Sequence, residues 1–128
     1  MDEAERIADE AARALDDHKG IDIVKIDLRE ITNCFCRFFV ICHGTSSAHV
    51  AGLVDNVGEV LEETLGEKPM HVEGMPQASW VLLDYGDVVV HVFREEQRAY
   101  YQLEDFWADA RIVKLEENRS TRYGRQKE

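Results

Sequence analysis

Apolar residues recur at helical spacing in two long stretches of the chain. In residues 3–17, EAERIADEAARALDD, the apolar positions lie three or four residues apart, and Asp2 stands before them as an N-cap residue. The second stretch follows Ser46, which can cap a helix in the same way, and its apolar stripe runs through residues 50–65 to Gly66. The pattern therefore predicts two amphipathic helices.

Runs of β-branched and apolar residues predict the strands. IDIVKIDL (21–28) is rich in β-branched residues, FFVIC (38–42) is continuously apolar, and KPMHVEG (68–74) favours a short strand. WVLLDYGDVVVHVF (80–93) is typical of a hairpin with a two-residue turn at positions 86–87. Helices and strands together predict an α/β (α+β) fold with a mixed sheet of about five strands and the two long helices on one face.

Pairing the hairpin around its turn separates its side chains into two faces, because they alternate along each strand. One face is nearly all apolar and suits a position beneath the helices: Val81, Leu83, Tyr85, Val88, Val90 and Val92. The other face mixes aromatic, apolar and polar groups: Trp80, Leu82, Asp84, Val89, His91 and Phe93. Since only two long helices are available, we expect this second face to lack a cover and to form an interface. The alternative is that residues 95–107 fold back over it.

The rest of the chain is less strongly patterned. Residues 95–107, EEQRAYYQLEDFW, return to helical spacing and predict one short or broken helix. The Thr-Asn pair at 32–33 favours a turn between the first two strands. The predicted organisation is one domain over residues 1–107 and a polar, mildly basic tail over residues 108–128, flexible after about residue 116.

The charge balance narrows the classes of partner. The chain has 15 Lys and Arg against 26 Asp and Glu, a net charge of −11, and the acidic excess lies before residue 108. Such a surface attracts a partner rich in Lys and Arg and repels nucleic acid, except at the basic tail, although solubility alone would also explain it. No apolar stretch approaches the roughly 20 residues that span a bilayer, and the acidic start does not suit a signal peptide. We therefore expect a cytoplasmic protein.

One turn offers a candidate for nucleotide chemistry. Gly44–Ser47 follows a strand and opens the second helix, so its backbone amides could bind a phosphate. Nucleotidyl transfer would also require closely spaced metal-binding carboxylates on a neighbouring strand, and the sequence shows none there. The pattern favours a capping role for Ser46, with a nucleotide-binding or nucleotidyl-transfer enzyme as the alternative function.

Cysteine and histidine residues offer no stronger chemistry. Cys34, Cys36 and Cys42 lack the spacing of zinc knuckles, so we expect reduced, buried thiols rather than a metal site. His91 and Asp84 share a hairpin face, but no nucleophile accompanies them. A hydrogen-bonding histidine on a binding face is the better interpretation, and no cofactor is expected.

Several segments together match a known family. They are IDIVKIDL, FFVICHGTSSAHV, VEG and, most specifically, Trp80 followed by VLLDYGDVVVHVF and then by R-x-x-Y-x-L-E-x-x-W. Over these segments, from about residue 4 to residue 107, the chain resembles the ribosomal silencing factor family, also called Iojap-like. The resemblance implies a nucleotidyltransferase-like fold without the catalytic carboxylates and a protein that is not an enzyme.

The resemblance also implies a function. Members bind the large ribosomal subunit through ribosomal protein uL14, sterically block joining of the small subunit and so repress translation, and free members tend to be homodimers. With the second hairpin face, it gives these partner-binding positions: Trp80, Leu82, Asp84, His91, Arg98, Tyr101 and Glu104. Tyr85 and Leu103 are expected to serve packing. The chain departs from what the resemblance implies at Arg37, a usually acidic position. If that position touches the partner or the dimer mate, the local contact there must differ.

Overall fold

The computed structural model describes residues 2–31, 34, 36–107 and 109–115 of the chain. Its elements in chain order are α1 (Glu3–Asp17), β1 (Ile21–Asp27), β2 (Phe38–Gly44), α2 (Ser47–Leu65), β3 (His71–Glu73), β4 (Trp80–Asp84), β5 (Val88–Arg94), α3 (Glu95–Tyr101), a 3₁₀ helix (Leu103–Trp107) and β6 (Arg111–Lys114). The described strands form one mixed sheet in the order β3, β4, β5, β2, β1, β6. The predicted fold class is confirmed, with one strand more than expected.

Helices α1 and α2 begin at the predicted capping residues. The Asp2 carboxylate accepts a hydrogen bond from the Glu5 backbone N–H at 2.8 Å, and the Ser46 hydroxyl accepts one from the His49 N–H at 3.1 Å. Gly66 ends α2 in the left-handed conformation, with φ of 67°, which glycine adopts without strain. Both helices pack their apolar stripes on the same face of the sheet. None of the described helices is long and apolar enough to cross a bilayer.

The hairpin of β4 and β5 adopts the predicted register. Leu82 lies opposite His91 and Asp84 lies opposite Val89, with Gly86 at positive φ in the turn. Because this register fixes the two faces, all six apolar hairpin residues assigned to the first face lie in the core beneath the helices. β5 also pairs in parallel with β2, which places the hairpin beside the centre of the sheet.

The second face of the sheet is covered, and the expectation that it lacks a cover was wrong. α3 and the 3₁₀ helix, together called the cap (residues 95–107), fold back over it, and Leu103 and Trp107 pack against a second cluster of buried residues. The cluster contains Val24, Ile26, Leu28, Cys36, Phe39, Ile41, Val89 and Phe93. Covering so many apolar groups is favourable by roughly 25 cal/mol for each Å² removed from water. The predicted break in the helix is confirmed at Gln102, which has φ of 48°.

Strand β6 is an element that the sequence pattern did not reveal. It pairs antiparallel with β1 and places Ile112 opposite Ile26, although all four of its side chains are exposed. It lies within the segment assigned to a polar tail, so the sheet continues past residue 107. The turn predicted at residues 32–33 and the tail after residue 116 lie outside the described residues.

Candidate functional site

Trp80 is the centre of an aromatic cluster on the second face. Its indole stacks on the Phe93 ring, with centroids 4.9 Å apart, and contacts the Tyr101 ring at 4.8 Å. Its Nε1–H donates a hydrogen bond to His91 Nδ1 over 3.1 Å. Strands β4 and β5 and helix α3 therefore hold the indole in one orientation, while it remains only partly buried.

His91 supports Trp80 from inside the protein. It is 4% exposed, and its ring packs edge-on against Phe39 with centroids 4.7 Å apart. Because the indole N–H can only donate, His91 Nδ1 is the acceptor and the proton of the neutral ring lies on Nε2. That Nε2 is buried without a hydrogen-bond partner in the described part of the chain, and burial lowers the pKa of His91 to about 4. The predicted direct contact of His91 with a partner is not available in this conformation.

Arg98 fastens the cap to the sheet. Its Nη2 and Nε donate to Glu104 Oε2 at 2.6 and 3.2 Å, and its Nη1 donates to the Ile21 carbonyl at 3.2 Å and to His43 Nδ1 at 3.0 Å. Burial, and then the Arg98 charge, lower the pKa of His43, which keeps that ring neutral as an acceptor. Since the Arg98 side chain is only 10% exposed, the structure uses it to position the cap rather than to face a partner.

The cap presents aromatic rings to solvent. Tyr101 is 46% exposed, Tyr100 80% and Phe106 75%, and the two tyrosine rings lie edge to face with centroids 5.0 Å apart. We call Trp80, Tyr100, Tyr101 and Phe106 the aromatic surface. Exposed carboxylates accompany these rings on the cap: Glu95, Glu96 and Asp105. A cap that exposes both aromatic rings and carboxylates suits a partner that carries basic side chains with apolar stems.

The remaining predicted residues on β4 lie between the surface and the interior. Leu82 is half-buried and packs against the second cluster. Asp84 is also half-buried, and its Oδ1 accepts a hydrogen bond from the Gly86 N–H at 2.8 Å, which closes the hairpin turn. The structure thus brings Trp80 and Tyr101 to the surface, whereas it gives Asp84 a role in the turn.

A cavity of about 490 Å³ lies beneath the cap at the end of β2. Its lining includes four carboxylates and two cations, and one of these cations, Arg98, is already paired with a carboxylate: Asp22, Glu95, Glu104, Asp105, Arg98 and Lys114. Because the lining is acidic, the cavity disfavours the phosphates of a nucleotide.

The Gly44–Ser47 turn is engaged within the chain. The Thr45 N–H donates to His49 Nδ1 at 3.0 Å, and the Ser46 hydroxyl caps α2. These contacts use groups that would otherwise cradle a phosphate. The geometry therefore favours the capping role over nucleotide binding.

The cysteines lie on both sides of the sheet. Cys42 belongs to the core beneath the helices, whereas Cys36 belongs to the second cluster, where its Sγ donates to the Phe38 carbonyl at 3.5 Å. Burial raises the pKa of Cys36 to about 12, so the thiol stays protonated at neutral pH. The separation of these two thiols by the sheet argues against a shared zinc site, and no metal-binding group of three His, Cys, Asp or Glu occurs among the described residues.

Arg37, the departure from the family pattern, has a partner inside the chain. Its Nη2 lies 2.7 Å from Asp2 Oδ2. The Glu5 backbone hydrogen bond, and then the Arg37 hydrogen bond, lower the pKa of Asp2 to about 2. The arginine therefore supports the N-cap of α1, and its charge is partly satisfied before any partner arrives.

Comparison with known proteins decides the family. A family model described as "Ribosomal silencing factor during starvation" matches residues 1–128. The chain belongs to the ribosomal silencing factor family. Proteins named ribosomal silencing factor from Halalkalibacterium halodurans and Bacillus subtilis are 43% and 40% identical to it over 106 residues, covering 83% of this chain and 89% and 88% of theirs. A crystal structure of a Chromobacterium violaceum protein, 36% identical, matches with a TM-score of 0.77 over 83% of this chain and 87% of its own.

In this member of the family, the sequence pattern does not indicate Tyr100 or Phe106 as surface residues. Both share helical spacing with Leu103 and Trp107, which alone predicts one common buried face. The break at Gln102 changes the helical phase, so only Leu103 and Trp107 reach the second cluster. The sequence predicts one short or broken helix here. Treating residues 95–107 as two separate helical segments is the signal that would have placed the two aromatics at the surface.

Proposed function

We propose that this chain binds the large ribosomal subunit through ribosomal protein uL14 and sterically blocks joining of the small subunit, which represses translation. The observation that carries the proposal is the aromatic surface, on a chain whose family is named for ribosomal silencing. Trp80 and Tyr101 are held in contact by fixed neighbours, so little side-chain entropy remains to be lost on binding. Clustered tryptophan and tyrosine residues commonly dominate the energy of an interface.

The net charge of the chain supports a basic protein as the partner. A net charge of −11 accelerates association with Lys- and Arg-rich surfaces and disfavours direct binding to ribosomal RNA. We infer a mechanism that needs neither catalysis nor a cofactor, since the bulk of the bound domain is sufficient to exclude another subunit. By family resemblance, we also propose that the chain acts in the cytoplasm and is a homodimer when free.

Replacing Tyr101 with alanine tests the aromatic surface without emptying the core. Because Tyr101 is 46% exposed, we expect Tyr101→Ala to cost about 1 kcal/mol of stability or less. Binding to isolated large subunits should weaken by at least ~2 kcal/mol, measured by co-sedimentation over a range of protein concentrations. Met70→Ala is the matched control, because Met70 is 71% exposed just before edge strand β3, outside the aromatic surface. Equal affinities for the two variants would count against the proposal.

Trp80→Ala should change both binding and stability. The indole packs on Phe93 and donates to His91. We therefore expect Trp80→Ala to lower the free energy of unfolding by about 3 kcal/mol, in addition to weakening subunit binding. Urea denaturation followed by circular dichroism measures the first effect, and an unchanged unfolding midpoint would contradict the packing described above.

A further inference from the structure

A groove runs beside α2, on the face of the sheet opposite to the aromatic surface. It has a volume of about 500 Å³ and lies between α2 and the strands β3 and β4. Apolar side chains, including Val72 and Met75, line it on the strand side. Carboxylates line it on the helix side: Asp55, Glu59 and Glu62. The groove therefore combines apolar surface with negative charge.

An open sheet edge borders the groove. β3 is the first strand of the sheet, so its side away from β4 faces no other strand of the described residues. All three of its side chains are exposed, including Val72. An edge of this kind can accept an added strand through backbone hydrogen bonds. A strand added beside β3 would direct alternate side chains toward α2.

The negative charge on the α2 side of the groove determines which kind of chain can bind there. Lys68 Nζ already lies 3.6 Å from Glu62 Oε2, which shows that a lysine side chain reaches these carboxylates. A second copy of this chain paired edge to edge would bring another acidic α2 toward the first, and like charges would then oppose each other. A basic segment gains from the same charges. Charge complementarity thus favours a different protein over self-association.

We propose that this groove and the β3 edge together bind an extended segment of another protein that has Lys or Arg at alternate positions. The stems of those side chains would cover Val72 and Met75. Their cationic ends would reach Asp55 and Glu59, since Glu62 already pairs with Lys68. The surface is separate from the one assigned to the large subunit, so this proposal does not depend on the proposed function.

A glycine in the groove allows a sharp test. Gly58 lines the groove, and a Cβ atom built on it meets no heavy atom within 4 Å apart from its chain neighbours and the nearby backbone of its own helix. Gly58→Leu should therefore fill the groove without a clash and favour the helix, since glycine costs about 1 kcal/mol relative to alanine. Gly52 is the matched control, because it also lies on α2 with no such heavy atom within 4 Å but does not line the groove.

The probe is a fluorescein-labelled peptide of about nine residues that alternates Lys and Thr, with binding to the full chain followed by fluorescence anisotropy. Gly58→Leu should weaken its binding about tenfold or more, and Gly52→Leu should stay within about twofold of the unsubstituted chain. Glu59→Gln should weaken it about threefold through the lost charge. A peptide of the same composition with its lysines in one block should bind more weakly, and Tyr101→Ala should bind the alternating peptide normally.

Several results would overturn the proposal. One is equal binding of the peptide by Gly58→Leu and Gly52→Leu, and another is equal binding of the alternating and block peptides by the unsubstituted chain. Either result would mean that an acidic surface attracts the peptide without a specific groove. The proposal would also fail if the alternating peptide showed no saturable binding to the unsubstituted chain. If Gly58→Leu dissociates a dimer in analytical ultracentrifugation but keeps peptide binding, the groove serves a second copy instead. Circular dichroism checks that each variant folds. If Gly58→Leu does not fold, peptide binding by Glu59→Lys replaces that test. Binding by Glu59→Lys as tight as that of the unsubstituted chain would contradict the proposal.

Discussion

One buried imidazole should make the stability of this fold depend on pH. The pKa of His91 is about 4 in the folded chain, against an ordinary value of 6.5. Between these values the unfolded chain takes up a proton and the folded chain does not, so the free energy of unfolding falls as the pH decreases from about 6.5 to about 4. The full loss is about 3 kcal/mol, of which about 2 kcal/mol should occur between pH 7 and pH 5.

Single substitutions separate the contribution of His91 to the pH dependence of stability from that of the acidic groups. Urea denaturation at pH 7 and pH 5 should show a smaller loss in His91→Gln than in the unsubstituted chain. His18→Gln is the control, since His18 is an exposed histidine at the end of α1. An identical loss in all three proteins would mean that His91 is not buried as described.

Arg98 is predicted to act on the cap as a whole. Its guanidinium contacts three separate groups in a fixed arrangement, which the single amine of lysine cannot reproduce. Arg98→Lys should cost about 2 kcal/mol and accelerate amide hydrogen exchange in residues 95–107. Arg13→Lys should be nearly neutral, because Arg13 forms an exposed ion pair with Glu10 on α1. Slow exchange in the cap of Arg98→Lys would contradict the positioning role.

The sequence predicts which face of the sheet each hairpin side chain occupies, but not whether that side chain is exposed to solvent. Strand alternation placed Trp80 and His91 on the second face, and the hairpin register confirms that placement. Whether either residue reaches solvent depends on where the cap packs, which is a long-range property. Alternation selected Trp80 and His91, and the family resemblance added Tyr101 and Arg98. Trp80 and Tyr101 reach the surface, whereas the polar groups of His91 and Arg98 serve the interior.

At the scale of elements, local signals decide where α2 begins. The Ser46 hydroxyl accepts the His49 N–H, whereas Ser47 is the first helical residue and its hydroxyl makes only a long bond of 3.4 Å to the Gln77 carbonyl. Ser46→Ala should lower the free energy of unfolding by about 1 kcal/mol, and Ser47→Ala by about half as much or less. Urea denaturation measures the free energy of unfolding of both variants. A larger loss for Ser47→Ala than for Ser46→Ala would contradict the capping role of Ser46.

Elements held by distant partners were harder to predict. The two long helices and the hairpin carry their own periodicity and turn residues, so the sequence predicts them. β6 has four exposed side chains and exists as a strand through its pairing with β1, far earlier in the chain. The cap was predicted as one short or broken helix, but no local pattern shows on which side of the sheet such a helix docks.

For the whole molecule, net charge should control the rate of association more than the final affinity. With −11 charges on the chain, association with a basic ribosomal protein should slow as ionic strength rises, because exposed charges farther apart than about 10 Å are screened at 0.1 M salt. Stopped-flow measurements at two salt concentrations should show a slower association rate and a nearly constant dissociation rate at high salt. A rate of association independent of salt would contradict this role for the acidic surface.

The proposed function requires that the chain occupies the large subunit and prevents subunit joining. The most direct measurement mixes the purified protein with separated large and small subunits, alone and together, and follows all components by sucrose-gradient sedimentation. We predict co-sedimentation with the large subunit, none with the small subunit, and loss of the joined ribosome peak as the protein is added. The proposed function would be contradicted if the protein bound the large subunit while the two subunits still joined, or if it bound both subunits equally.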